Sequence, residues 1–283
     1  EYNDNWFDVV QDFRTRTTGD TPAAGRFYIP TGHAGYRDGV ANLIRDQFLP
    51  LPRDANGDPS TRDEDGLRWS DLTTNCDPGQ RYGGSVLVRF ICDNQIASPN
   101  DRDQKIDVIL TGHSLCAGQA QLAMPMLDGL VWAGNADNGF SVQPNEFWPF
   151  RVRHLYAFAP MLAVYARDHD TCAPLNSDRR PRGLNHVNPF EVIERHGLNT
   201  RASMIIREGD MVPVFWSPLA SDPHCVPGQH FGTYYRINHE GTRMDRVDLD
   251  HWALDRPHTS EHYMAPVEDY VRRQVARRAR RSN

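Results

Sequence analysis

The 283 residues, 39% of them hydrophobic, suffice for one sizeable core, and a net charge of −6 argues against nucleic acid as the main partner, because phosphate binding needs a basic face. No run approaches the roughly 20 apolar residues that cross a bilayer as a helix, and the opening EYNDNWFDVV has neither the basic start nor the apolar run of a signal peptide. The chain starts at Glu1 with no Met, so the natural protein is expected to be longer, and export stays open.

In chain order, Val40, Leu43, Ile44 and Phe48 fall at helical spacing and predict a helix over 36–48, closed by Pro50. Residues 50–84 are rich in Pro, Gly, Asp and Asn without apolar periodicity, and read as a surface insertion in a single domain spanning 1–283. Within it Asp54, Asn56, Asp58 and Asp65 imitate the start of a calcium loop, but Pro59 stands where that loop turns on a glycine. Val86 to Ile96 suits a buried helix, and a polar turn from Ser98 to Gln104 follows. Ile106 to Leu110, Arg151 to Ala159 and Ser203 to Ile206 are β-rich runs with the look of interior strands. Longer helical or mixed segments separate them. This alternation predicts an α/β architecture, a mostly parallel central sheet flanked by helices on both faces.

Near the end, Val267, Tyr270, Val271 and Val275 give an apolar stripe at helical spacing. Arg272, Arg273, Arg277, Arg278, Arg280 and Arg281 accompany it, read first as a solvated helix end and alternatively as a contact for an anionic lipid surface. Five cysteines leave at least one unpaired: Cys116 is taken as free, with Cys76–Cys92 and Cys172–Cys225 as pairs in an oxidising compartment, or all five as reduced thiols.

The strongest chemical signal is Thr111-Gly112-His113-Ser114-Leu115-Cys116-Ala117-Gly118, directly after the predicted strand at 106–110 and before a helix-compatible stretch. A serine on a sharp strand-to-helix turn is strained, and the positions two before and two after it need small side chains. Gly112 meets that need, and Cys116 meets it only in part. The pattern is the nucleophile elbow of α/β-hydrolases, in which the amide of the following residue, here Leu115, donates to the oxyanion.

A serine hydroxyl becomes a nucleophile when a histidine removes its proton, and a carboxylate orients that histidine. Arg207-Glu208-Gly209-Asp210-Met211-Val212-Pro213 ends the third strand and offers Asp210 as the acid, with Glu208 as the fallback. The order serine, acid, histidine leaves His224, His230, His239, His251, His258 and His262 as bases. Order alone does not choose among them, although His258 follows Pro257 in a loop before the last helix. His258 and His262 lack a third ligand and the HExxH arrangement of a zinc site, so no metal is expected.

These residues resemble the class 3 lipase family, the fungal triacylglycerol lipase type. Thr111-Gly112-His113-Ser114-Leu115 is similar to the family's TGHSLGG elbow, departing at Cys116 and Ala117, and Tyr156-Ala157-Phe158-Ala159-Pro160 to its Y-T-F-G-S-P strand end. Glu208-Gly209-Asp210-Met211-Val212-Pro213 resembles the N-D-x-V-P segment carrying the acid, which favours Asp210. His258-Thr259-Ser260-Glu261-His262-Tyr263 resembles the H-S-x-x-x-Y segment carrying the base, which selects His258. His33-Ala34-Gly35-Tyr36 is similar to V-H-x-G-F, and Asn5-Trp6-Phe7-Asp8 to the lid-region tryptophan motif.

The resemblance implies an α/β-hydrolase fold and an enzyme without cofactor or metal, a lipase or phospholipase cleaving lipid or other carboxylic esters; its compartment stays open, with secretion or export favoured. Trp6, Phe7, Val9 and Val10 would then form the apolar face of a lid, or alternatively that of a helix packed permanently on the core. The family's F-R-G-[ST] segment, which precedes the tryptophan motif and supplies a second oxyanion donor, is absent. A chain lacking its first strands is therefore expected, completed by a preceding segment or a second chain. The competing class is a catalytically silent hydrolase fold serving as a binding module or scaffold, favoured by Cys116 and the absent oxyanion segment.

Overall fold

A computed structural model describes residues 17–18, 26–43, 105–135, 139–145, 148, 150–167, 173–175, 187–210, 212, 228–238, 240–246, 254–256 and 261–281, with backbone alone at 17–18, 41–43, 135, 139, 254–256, 261–265 and 281. The expected insertion at 50–84, the helix at 86–96, the lid residues and both proposed cysteine pairs lie outside these residues.

The elements in chain order are β1 (Thr17–Thr18), β2 (Gly32–His33), α1 (Ala34–Leu43), β3 (Ile106–His113), α2 (Leu115–Leu127), β4 (Leu130–Asn135), β5 (Gly139–Pro144), β6 (Phe150–Phe158), β7 (Val164–Tyr165), α3 (Pro189–Arg195), β8 (Ala202–Arg207), β9 (Gly209–Asp210), β10 (Gly228–Gln229), β11 (Thr233–Ile237), β12 (Met244–Arg246), β13 (Leu254–Arg256) and α4 (Glu261–Arg281). The main sheet has five strands in the order β12-β11-β8-β6-β3. Its β3/β6, β6/β8 and β8/β11 pairs are parallel and only β12 is antiparallel, as an edge. The three runs read as strands are there, β3 reaching three residues further than expected, to His113.

Alternation along the strands sorts the core into two layers. On β8, Ala202, Met204 and Ile206 point into the larger cluster, which holds Ala117, Leu122, Met124 and Met126 of α2 with Val152, Leu155 and Ala157 of β6. Ile205 points the other way, into a smaller cluster with Ala159, Ile237 and Met244, against which Val267 and Tyr270 of α4 pack. Helices therefore cover both sheet faces, and the fold is α/β.

Two expectations need correction. β3 does not have an interior strand's environment: it pairs only with β6 among the described residues, alternates in exposure, and leaves Ile109 65% exposed. The terminal stripe is also only half used, because Val271 and Val275 are 53% and 63% exposed. Helix α1 begins at Ala34, two residues earlier than expected. Its first turn is held by an unusual acceptor, His33 Nδ1, which takes the Tyr36 amide at 3.4 Å while the two rings stack at 3.9 Å.

A polar knot ties the far end of α2 to the sheet. Arg201 Nη1 and Nη2 donate to the two carboxylate oxygens of Asp128 at 2.8 and 2.7 Å, and Nη1 also reaches the Val152 carbonyl at 2.6 Å. Asp128 Oδ1 in turn accepts the Val152 amide at 2.8 Å. Removing the guanidinium leaves a mostly buried carboxylate short of its donors, so Arg201→Met is expected to cost about 2–3 kcal/mol, discounted for partial exposure from the penalty of breaking a buried pair. Urea unfolding measures this; a loss below about 0.5 kcal/mol would mark the knot as energetically idle.

His154 Nε2 lies 2.8 Å from Ser203 Oγ, and burial holds its imidazole below the ordinary value of 6.5. The unfolded chain therefore takes up this proton first on acidification. The stabilising contribution is complete above 6.5 and is lost as pH falls through the lower folded value. Unfolding titrations between about pH 7.5 and 5.5 should show wild type losing more stability than His154→Asn, and equal slopes would contradict this.

Candidate active site

Three neighbouring parallel strands end in left-handed backbone. Ser114 after β3 has φ 55° and ψ −123°, Ala159 after β6 has φ 45°, and Gly209 after β8 has φ 89°. Ser114 and Ala159 are the only non-glycine residues with positive φ among those described, and such strain clusters where function fixes the geometry. Each is pinned to its neighbour: the Ser114 amide donates to the Phe158 carbonyl at 3.0 Å, and the Ala159 amide to Ile205 at 2.8 Å. The carboxyl edge of the sheet is thus the strained edge.

The turn at Ser114 brings strand and helix into contact. A Cβ built on Gly112 would lie 2.7 Å from the carbonyl carbon and oxygen of Cys116, so glycine is required there. Cys116 is exposed, which explains why a cysteine fits: the conflict at Gly112 involves the Cys116 backbone and not its side chain. Ser114 is 8% exposed, and its hydroxyl makes no hydrogen bond among the described residues. The amides of Ala117 and Gly118 both turn back to the Ser114 carbonyl at 3.1 Å, starting α2. Leu115 is the first residue of α2, where amides lack intrahelical acceptors and the helix end favours negative charge.

Asp210 lies in β9, just past β8, with 1% exposure, and its Oδ1 accepts the Val212 amide at 2.9 Å. Glu208, the fallback acid, occupies the turn between β8 and β9 and is half-buried. One strand, β6, separates the ends of β3 and β8, a backbone distance of roughly 10 Å. An imidazole hydrogen-bonded at both nitrogens spans about 8 Å, so one histidine could bridge them with modest side-chain reach.

His258 lies outside the described residues. The strand before it does not: β13 pairs in parallel with β9, Arg256 opposite Asp210, two residues before His258 in the sequence. Of the other candidates, His224, His239 and His251 are also outside, and His262 falls in α4 with backbone alone described. His230 is engaged elsewhere. Its Nδ1 lies 3.3 Å from Gln121 Oε1, and Gln121 Nε2 donates to the Ala117 and Met161 carbonyls at 3.3 and 3.1 Å. This buried link between α2 and the approach to β11 was not legible, since neither residue belongs to a motif.

A cavity of about 630 Å³ lies elsewhere, lined by Phe190, Ile193, Glu194, Thr200, His230 and Arg246 among others. It borders Asn199 and Thr233, at the amino ends of β8 and β11, across the sheet from Ser114.

No protein-family model matches the chain, and no curated protein matches it. Among solved structures, Lip2 lipase from Yarrowia lipolytica aligns at 14% identity over 78% of this chain and 64% of that one, with a TM-score of 0.24. The chain thus spans less than two thirds of that lipase's length, and so loose a likeness carries no weight for fold or activity.

Proposed function

We propose that the chain is a serine hydrolase of carboxylic esters, acting through Ser114, His258 and Asp210, with lipid esters as its substrate class. The observation that carries this reading is the conformation of Ser114: a left-handed serine between a parallel strand and a helix, over a glycine that no other residue can replace without a clash. A loop serine has no reason to bear that cost. Buried Asp210 two strands away, and the alignment of β13 beside it, support the remaining assignments.

In this mechanism His258 takes the Ser114 proton and the oxygen attacks the ester carbonyl. The Leu115 amide donates to the tetrahedral oxyanion, and Asp210 stabilises the imidazolium. His258 then protonates the departing alcohol. Water, activated by the same imidazole, releases the acid and restores the hydroxyl.

A fluorophosphonate probe tests the reading without knowledge of the natural ester. The expected result is a single covalent adduct mapped by peptide mass spectrometry to Ser114, prevented by prior heat denaturation. A folded protein that takes up no probe would instead favour the silent scaffold.

A further inference from the structure

We propose that the second half of α4, from Val271 to Arg281, docks the protein on anionic lipid surfaces. This deepens the ester-hydrolase reading by naming the interface at which a lipid ester would be met, and it can fail independently of that reading.

Helix α4 changes character midway. Val267 and Tyr270 pack on the smaller core cluster, and the Tyr270 ring meets Tyr235 edge-on at 5.6 Å. Beyond them Val271 and Val275, one turn apart on the same side, are 53% and 63% exposed, and every residue from Val275 to Arg280 is exposed. Asp269 is the last acidic residue, and its one ion pair, to Arg273 at 2.5 Å, leaves Arg272, Arg277 and Arg280 among the exposed cations. Six arginines stand between positions 272 and 281; set against the chain's net charge of −6, they leave the other residues at −12.

Cations at a helix carboxyl end are favourable in water, so arginines alone imply no partner. The two valines among them do. A helix on a protein surface normally turns such residues inward, whereas an interfacial helix sinks them into the headgroup boundary while arginine stems reach up to the phosphates. A nucleic acid would engage the same guanidinium groups, but its phosphates give exposed valines nothing to pack against. Because the other residues together carry net negative charge, this cluster of six arginines is where an anionic layer would be attracted, and that attraction must weaken with salt.

Co-sedimentation of the full chain with vesicles tests this, using phosphatidylcholine alone and phosphatidylcholine with about 30 mol% phosphatidylglycerol. Binding is expected only to the anionic vesicles and should fall as salt rises. Each arginine near such a surface raises partitioning roughly fivefold, so combining Arg272→Glu, Arg277→Glu and Arg280→Glu should weaken it at least about 100-fold. Val271→Ser with Val275→Ser should lower it about tenfold and leave the salt dependence intact. Both variants should keep wild-type turnover of a soluble short-chain ester, which separates docking from chemistry. Equal affinity for both vesicles, indifference to the charge reversals, or tighter binding to an oligonucleotide than to the anionic vesicles would each overturn the proposal.

Discussion

Replacing Ser114 with alanine is expected to lower kcat on any accepted ester by about 10⁶, because loss of a triad nucleophile removes nearly all the cooperative action of the group. The residual rate should come from substrate binding and the Leu115 amide alone. Stability should barely change. The Ser114 hydroxyl has no hydrogen-bond partner among the described residues, so its removal strands no buried donor or acceptor. That pairing, a very large kinetic effect with an unmoved unfolding midpoint, separates a nucleophile from a structural serine. Steady-state kinetics and urea denaturation on the same preparation measure both.

Gly112→Ala is the second large effect, and it works through the backbone. The added methyl would meet the Cys116 carbonyl group at 2.7 Å and the Ala117 nitrogen at 2.8 Å, none of which can rotate away. Either β3 and α2 separate or the turn between them distorts, at an expected cost of about 3 kcal/mol, the upper range for overpacking. Turnover should fall with it, because the same turn aims Ser114 and the Leu115 amide. Gly118→Ala provides the comparison: its methyl would approach the edge of the Tyr36 ring at 3.2 Å and the Ala163 methyl at 3.4 Å, looser contacts that involve side chains and no backbone atom. Thermal unfolding of the two variants should rank them clearly, and equal destabilisation would remove the steric basis assigned to the elbow.

The parallel strands were legible because their composition is local. Ala202 to Arg207 is buried throughout and reads as a central strand does, with no polar alternation. β3 misled for the opposite reason: Val108, Ile109 and Leu110 are all apolar, yet what covers a strand depends on its neighbours and not on its own residues. The stripe on α4 failed similarly at Val271 and Val275, since periodicity gives a helix its face but not the length over which a partner meets it. Two-residue strands such as β2, β7 and β10 have no period to detect, and Leu254–Arg256 carries no strand signal although it pairs, through an irregular register, beside Asp210.

The turn from Gly112 to Ser114 was visible for a different reason. Glycine before a serine at a strand end is demanded by a close approach of two backbones, and such constraints leave their mark in one or two letters. Ala159 shows the limit of that logic, because a left-handed position there is filled without glycine and sequence alone gave no sign of strain. Helix α1 likewise starts on a histidine ring in place of a usual capping side chain, which displaced its predicted start.

In the proposed enzyme Ser114, His258 and Asp210 meet at the carboxyl edge of the sheet. A crystal structure of the fluorophosphonate adduct tests this most directly. The phosphonyl group is expected on Ser114 Oγ, its oxygen facing the Leu115 amide, with the His258 imidazole bridging from that site to the Asp210 carboxylate. An adduct whose nearest imidazole belongs to another histidine, or with His258 turned away from Asp210, would contradict this arrangement.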